Sequence, residues 1–298
     1  MTALLYLIRR NTKLYFKDKG LFFSSLITPL ILLVLYATFL ANVYRDSFVS
    51  ALPEGMQVAD SLIDATVGGQ LISSLLAVSC VTVAFCCNMV LVQDKVNGSR
   101  RDLTVSPVSR STLAAGYYAS AMISTLLVNC IALVASLLYL ANIGWYLTAF
   151  DVLKMLLDVL LLTLLGTALS SVINVFLSTQ GQMSAVGTIV SAGYGFFCGA
   201  YMPISQFGDG LQKVLAFLPG TYGTSLIRNH TLRGVFAEMR AAGFPEEVVQ
   251  GIGDSIDCRI TFFDHAVSEP MMYVIMAGSI AVLIAAYVLL HVLKKEAR

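Results

Sequence analysis

Charged residues are scarce in this chain. Lys, Arg, Asp and Glu make up 12% of its 298 residues, whereas 57% are hydrophobic and the mean hydropathy is +0.78. A soluble domain has roughly a quarter of its residues charged. This chain has too few charged residues to cover the surface of a water-soluble domain. We therefore predict an integral membrane protein that lies largely in lipid. The net charge of +1 gives no general attraction to nucleic acid, and we expect no nucleic-acid partner.

The sequence patterns that carry common chemistry are also missing. No G-x-x-x-x-G-K-[ST] phosphate loop, H-E-x-x-H zinc pattern or G-x-S-x-G elbow occurs. The three histidines (His230, His265 and His291) are too scattered to indicate a metal site. The pair Glu246–Glu247 lies in a polar loop, without the partners that an intramembrane protease needs. We therefore predict that the chain is not an enzyme and holds no cofactor of its own.

Cysteine is used as a small apolar residue. None of the six cysteines forms a C-x-x-C pair, and all but one lie in apolar runs, which is typical of buried structural thiols. Cys258 alone lies in a polar stretch. We expect it to be a free thiol that reacts with impermeant reagents, or to form an intermolecular disulfide.

Long apolar runs predict an all-α membrane protein with six transmembrane helices. A helix needs about 20 apolar residues to cross the bilayer. Six segments satisfy this length, at 20–44, 65–93, 111–141, 152–177, 183–202 and 270–293. A seventh apolar segment, 211–227, is shorter and is broken at Pro219 and Gly220, so we predict a re-entrant or interfacial helix pair. With the net acidic stretch that follows it, residues 203–269 form the predicted outer hairpin and loop. In that loop we predict a short helix at 235–242 and another that starts at Pro245.

Basic residues predict the orientation. With the N-terminus in the cytoplasm, twelve of the 19 basic residues fall in cytoplasmic segments: Arg9, Arg10, Lys13, Lys17, Lys19, Lys95, Arg100, Arg101, Arg110, Lys294, Lys295 and Arg298. This distribution follows the positive-inside rule, so we predict that both termini are cytoplasmic. A seventh span would put the basic C-terminus outside. Residues 1–19 form an amphipathic helix with a basic arc, which predicts an interfacial helix on the membrane surface.

Polar and small residues inside the predicted spans leave alternatives open. Asn88, Asn129 and Asn174 face either a substrate or partner helices within the chain. Gly195 and Gly199 form a G-x-x-x-G pattern, which indicates close packing either between two chains or within one. Asp158 follows Lys154 by four residues, so we predict a local ion pair between them.

The segment 93–112 carries a family resemblance. It has a charged start, then a short polar helix, a Ser-Pro turn and Ser109 as the predicted cap of the third span. Asp94, Gly98, Leu103 and the run Ser106-Pro107-Val108-Ser109 resemble the cytoplasmic coupling segment of type-2 ATP-binding-cassette (ABC) export permeases. Arg100 and Arg101 differ from the small and apolar residues common there.

A second match follows the fifth predicted span. Met202-Pro203-Ile204-Ser205 and Pro219-Gly220-Thr221-Tyr222 resemble the outer re-entrant hairpin of the same family. The resemblance extends over nearly the whole chain and implies a single type-2 transmembrane domain, residues 1–298. It implies a permease of a bacterial plasma membrane that exports an apolar or amphipathic substrate, such as a drug, antibiotic, lipid or peptide.

The same resemblance assigns partners and sites. It implies a lipid-embedded dimer, either homomeric or heteromeric, bound to two ABC ATPase subunits that hold the ATP and Mg²⁺. The residues expected to couple to the ATPase are Asp94, Gly98, Asp102, Leu103, Ser106, Pro107, Val108, Ser109 and Arg110. The expected outer gate consists of Pro203, Ser205, Pro219 and Tyr222. The expected pathway or dimer contacts are Asn88, Asn174, Gly195 and Gly199. The alternatives are a polysaccharide or glycolipid exporter of the same architecture, and a membrane scaffold or sensor without transport.

Overall fold

The chain is an all-α membrane protein in the computed structural model, which describes residues 2–50, 58–263 and 265–293. The helices are α1 (Thr2–Lys17), α2 (Lys19–Leu35), α3 (Ala41–Ser50), α4 (Asp60–Val96), α5 (Ser99–Val105), α6 (Arg110–Ile143), α7 (Ala149–Phe176), α8 (Gln180–Phe197), α9 (Asp209–Leu215), α10 (Pro219–Ala241), α11 (Glu246–Ser255) and α12 (Glu269–Leu293). A π-helical turn, Tyr36–Leu40, joins α2 to α3. A 3₁₀ turn, Ile204–Gln206, precedes α9, and β1 (Thr261–Phe262) pairs antiparallel with β2 (His265–Ala266). Of the twelve basic residues counted above, Lys294, Lys295 and Arg298 lie outside the described residues.

Five helical segments within the described ranges are long and apolar enough to cross a membrane. They are Lys19–Asp46, Asp60–Val96, Arg110–Ile143, Ala149–Phe176 and Glu269–His291. These segments match the predicted spans one to four and six. The helix at the predicted fifth span, α8, has 18 residues, starts with a polar turn and does not reach that apolarity. It ends at Phe197 rather than Met202 because Gly199 takes a φ of +72°.

Helix α4 is the centre of the bundle. It has 37 residues, and 89% of its most apolar stretch is buried, because α2, α6, α7, α8 and α10 all pack around it. A Cβ at Gly166 of α7 would lie 2.8 Å from the Cys80 carbonyl oxygen of α4. The two backbones therefore approach as closely as a small residue allows.

Buried amides hold α4 to its neighbours. The Asn88 side chain donates to the hydroxyls of Ser170 (2.7 Å) and Ser171 (2.8 Å) on α7. The hydroxyl of Ser79 donates to Asn129 of α6 at 2.8 Å. These bonds favour the intramolecular interpretation for Asn88 and Asn129, since their side chains are occupied between helices of one chain. Asn174 is buried as well, at 1% exposure.

Helices α9 and α10 form the predicted helix pair, broken at residues 216–218. Pro219 opens α10, where its missing N–H costs no hydrogen bond. The hydroxyl of Tyr222 donates to the Ala216 carbonyl at 2.6 Å and so closes the break. The predicted helix at 235–242 is helical as far as Ala241, but it is the last part of α10, which continues without interruption from Pro219. Its Leu232 and Met239 pack into a cluster with apolar residues of α4, which holds the polar second half helical. Helix α11 begins after Pro245, as predicted.

Candidate functional site

The coupling segment, residues 93–112, forms a short helix between two long ones. Gly98 takes a φ of +80° after the end of α4, a conformation that favours glycine, and so turns the chain into α5. The Ser106-Pro107 turn follows, and the Thr112 amide then donates to the Ser109 hydroxyl at 3.1 Å. The predicted N-cap of the third span is therefore confirmed. We name this end of the bundle the α5 end and the opposite end, which carries α11, the α11 end.

One face of the coupling segment is anchored and the other is open. Leu103 and Val108 pack against a buried apolar cluster that includes Leu7 of α1. The opposite face exposes Val105, at 83% exposure. Of the nine residues expected to couple, five are exposed as well: Gly98, Asp102, Pro107, Ser109 and Arg110. This outward face of the coupling segment is therefore accessible from outside the bundle.

Asp94 lies behind this surface rather than on it. The residue is 5% exposed, and its carboxylate accepts two bonds from the Arg10 guanidinium, at 2.6 and 2.9 Å. The Tyr117 hydroxyl of α6 donates a third bond, at 2.6 Å. The paired geometry of Arg10 makes this a strong, charge-assisted contact. Asp94 thus ties α1, α4 and α6 together at the base of α5, and Arg10 turns away from the basic arc predicted for the membrane surface.

The residues expected to form the outer gate lie on both sides of α9. Pro203 precedes the 3₁₀ turn, whose amides at Ile204 and Ser205 both donate to the Asp257 carboxylate, that of Ser205 at 3.1 Å. Pro219 and Tyr222 lie in the first turn of α10. Ser205 lines a polar cavity of about 250 Å³ together with Asp257, residues of α9 and Thr221 of α10, whereas the other three gate residues are not among its described lining residues. Burial raises the pKa of Asp257 above its ordinary value, although Arg228 opposes the shift.

A fully buried arginine, which the sequence analysis did not single out, links these elements. Arg228 of α10 is 1% exposed. Its guanidinium donates to the carbonyls of Ile256 (2.5 Å) and Gly199 (2.9 Å) and to the Ser74 hydroxyl (3.2 Å). The Asp257 carboxylate lies 3.9 Å away. One cation therefore joins α10, α4, the turn after α8 and the chain after α11.

A second polar cluster joins α7, α10 and α12. The Asp158 carboxylate lies 2.5 Å from Nδ1 of His230 and accepts a bond from the Tyr273 hydroxyl at 2.9 Å. Nε2 of His230 lies 3.1 Å from Glu269, which also accepts from Lys154 at 2.6 Å. This corrects the predicted Lys154–Asp158 pair, because each of the two residues bonds to a side chain of another helix.

His230 lies in α10, outside the five apolar spans. Burial lowers its pKa, but the hydrogen bonds and negative charges of Asp158 and Glu269 outweigh burial, so the pKa is raised above its ordinary value. One feature of the sequence indicated this cluster: Asp158 is an acid inside an apolar span, and such an acid needs a partner. Nothing in the spacing shows that Asp158 pairs with a residue 72 positions away.

The glycines of the G-x-x-x-G pattern pack within the chain. A Cβ at Gly195 would overlap the ring of Tyr201, and Gly199 adopts its positive φ past the end of α8. Both glycines therefore serve the tight turn after α8, which favours the interpretation of packing within one chain.

The expectation that Cys258 is an accessible thiol is wrong. The side chain is 4% exposed, in an apolar cluster with Val249 and Ile252 of α11. Burial raises the pKa of its thiol to about 12, which further lowers its reactivity. A polar sequence context did not reveal this burial, because it arises from the packing of α11 onto α10.

Among the described residues, no group of three or more His, Cys, Asp or Glu side chains is placed to hold a metal ion.

Comparison with known proteins agrees with this architecture. A family model described as "ABC-2 type transporter" matches residues 2–231, a range that includes α1, four of the apolar spans, the coupling segment and most of α10. A search of curated proteins finds no match to the chain. Since the family model spans well over half of the sequence, the chain belongs to the ABC-2 type transporter family.

Proposed function

We propose that this chain is the permease subunit of an ABC exporter, which moves an apolar or amphipathic substrate out of the cell. ATP and Mg²⁺ are held by two separate ATPase subunits, and a second permease chain, identical or paralogous, completes the transmembrane part. Family membership supports the permease role. The observation that carries the ATPase partnership is the coupling segment, a short helix with an open face that carries exposed Val105 at one end of the bundle.

The connections of α5 support a mechanical role. It continues from the central helix α4 through Gly98 and leads into α6 through Pro107. A push on α5 by a closing ATPase would therefore act on both helices together. The Asp94 contacts with Arg10 and Tyr117 stiffen this base, so that movement is passed into the bundle rather than absorbed there.

We assign the α5 end to the cytoplasm and the α11 end to the outside of the cell membrane, with α8 as the remaining span. Its 18 residues would extend about 27 Å, close to the thickness of the hydrocarbon core, about 30 Å. Six spans and the distribution of basic residues then agree with cytoplasmic termini.

Contacts along α10 support a re-entrant hairpin between α8 and α12. Gly223, near its start, packs against Leu162 in the middle of α7, whereas Gly234 packs against Tyr146 in the turn before α7. The eleven residues between these glycines rise by roughly 16 Å. The break at 216–218 would thus lie near mid-membrane. Pro203, Ser205, Pro219 and Tyr222 would surround the hairpin as an outer gate, held by Asp257 and Arg228.

Purification of the tagged chain in mild detergent from its native host tests this proposal. We expect ATPase subunits to co-elute, with ATP hydrolysis in the eluate. The variants Asp102→Ala and Pro107→Ala should lower substrate transport and ATPase activity several-fold while membrane insertion stays normal. Gln250→Ala, an exposed change at the α11 end, is the matched control.

Normal transport by both coupling variants would contradict the role of α5. A chain that elutes without any ATPase would contradict the permease proposal and favour a scaffold or sensor. A glycan exporter would retain the ATPase but would transport a different substrate, so assays of substrate-dependent ATP hydrolysis distinguish it.

A further inference from the structure

A large apolar cavity lies between α8 and α12. Its volume is about 680 Å³, and its walls come from α4, α7, α8, α12 and the tip of the α9–α10 hairpin. Val81 and Leu165 form its back wall, and Leu218 lies at the hairpin tip. None of the described residues that line it is charged. The added Cβ of a substituted Gly278, on α12, would meet no atom within 4 Å, which independently shows open space beside this helix.

The cavity opens sideways, toward the surroundings of the bundle. Its rim residues Phe197, Leu218 and Val282 are 50%, 38% and 68% exposed. Helix α12 lies at the edge of the molecule, with only 17% of its most apolar stretch buried. Gly278 follows the first residue of α12 by nine positions, about 14 Å along the axis. The mouth is therefore within the membrane-crossing length of α12, in the half nearer the α11 end.

We propose that this cavity binds one hydrocarbon chain of a membrane lipid, which enters between α8 and α12. An apolar cavity of this size excludes water, since it offers few polar partners, and accepts apolar ligands. A polar or charged ligand would lose its hydration without gaining hydrogen bonds from these walls. The bilayer at the mouth supplies hydrocarbon chains directly.

The site has a structural consequence for the hairpin. Leu218 and Pro219 line the cavity and form the break between α9 and α10. A bound chain thus packs under the hairpin tip, where it adds van der Waals contacts to Leu218, which is 38% exposed. This lipid site does not rest on the proposed ATPase partnership, although it adjoins the proposed outer gate.

The test is photolabelling of the full chain in vesicles of phosphatidylcholine that carries a diazirine near the middle of one acyl chain. Labelled peptides are mapped by mass spectrometry. We expect strong labelling around Phe197 and Leu218. Gly278→Leu or Ser279→Leu should fill the cavity and reduce this labelling several-fold. Ala285→Leu, on the exposed face of the same helix and outside the cavity, should leave it unchanged.

Three results would overturn the proposal. One is labelling of Phe197 and Leu218 no stronger than that of exposed Leu289 on α12. Another is unchanged labelling in both filling variants, provided that they insert normally. The third is a Val282→Cys disulfide between two copies together with unlabelled cavity residues, which would assign the mouth to an interface between chains. Co-purification of the ATPase is scored separately, so failure of the lipid site is distinct from failure of the permease proposal.

Discussion

At the scale of single residues, a few buried ionisable side chains hold the α11 end together. Arg228 and His230 are each 1% exposed, and both lie on α10. Each bonds to more than one neighbouring element, so each acts as a junction. If one partner is removed from such a site, the other groups stay buried without a hydrogen-bond partner. The resulting fall in the free energy of unfolding is larger than the net contribution of the intact contact.

Arg228→Met should strongly destabilise the protein. The substitution keeps an apolar stem but leaves Asp257 and the carbonyls of Ile256 and Gly199 without their donor. We expect the free energy of unfolding to fall by about 3–5 kcal/mol, as measured by chemical or thermal unfolding in detergent. Arg240→Met, which removes an exposed ion pair with Glu246, is the control and should change little. Equal effects of the two variants would contradict the role of Arg228.

His230 should make stability depend on pH. Its pKa in the folded protein is raised, so protonated His230 stabilises the fold. The groups that face it are Asp158, Glu269 and Tyr273, with Lys154 bound to Glu269. This stabilisation is complete below the ordinary histidine pKa of about 6.5 and is lost as the pH rises through the higher folded value.

Unfolding temperatures should show this dependence directly. The wild-type protein should lose stability as the pH rises above the ordinary histidine pKa of about 6.5, and His230→Gln should show a flatter profile. His265→Gln, in exposed β2, should keep the wild-type profile. A wild-type profile in His230→Gln would show that the Asp158–His230 contact does not titrate in this range.

At the scale of elements, close helix packing at glycine determines the position of α10. A Cβ at Gly223 would lie 2.5 Å from the Leu162 side chain, and one at Gly234 would overlap the Tyr146 carbonyl oxygen. A backbone atom cannot yield as the end of a flexible side chain can. Gly234 therefore fixes α10 against the turn between α6 and α7.

Gly234→Ala should displace α10 or the turn that it contacts. We expect the free energy of unfolding, measured in detergent, to fall by about 1–3 kcal/mol, which is the usual cost of overpacking. Gly251→Ala, in helix α11, meets no atom within 4 Å and should be neutral or stabilise by up to about 1 kcal/mol. An unchanged free energy of unfolding in Gly234→Ala would show that the contact between α10 and the turn relaxes without destabilising the protein.

The predictions of single elements succeeded where local chemistry decides structure. The cap at Ser109, the proline at the start of α10 and the start of α11 follow from residues within one turn. The continuity of α10 was missed, because the stretch 228–234 that joins its two predicted helical parts is polar and its helicity depends on packing against α4. The contacts of Asp158 and Cys258 were missed for a related reason, since neighbours distant in sequence decide their partners and burial.

At the scale of the whole molecule, the orientation is a testable prediction. Gln250→Cys, exposed on α11, should react with an impermeant thiol reagent on intact cells, whereas Thr104→Cys, exposed on α5, should react only after lysis. Wild-type Cys258 should remain unlabelled on intact cells, because it is buried. The reverse pattern for the two introduced cysteines would show that the chain is inserted in the opposite direction.

The sequence by itself determined the membrane class, five apolar spans, the short helix between α4 and α6 and the family. The first three depend on composition, apolar run length and local capping, and the family was suggested by the resemblance of the coupling segment and the outer hairpin; all of these are local to the chain. Only the tertiary structure decided that Asp94 is an internal junction, that Arg228 and His230 join distant helices, and that an apolar cavity opens between α8 and α12. Each of these depends on which helices become neighbours, and in a nearly uniform apolar sequence little but packing distinguishes one neighbour from another.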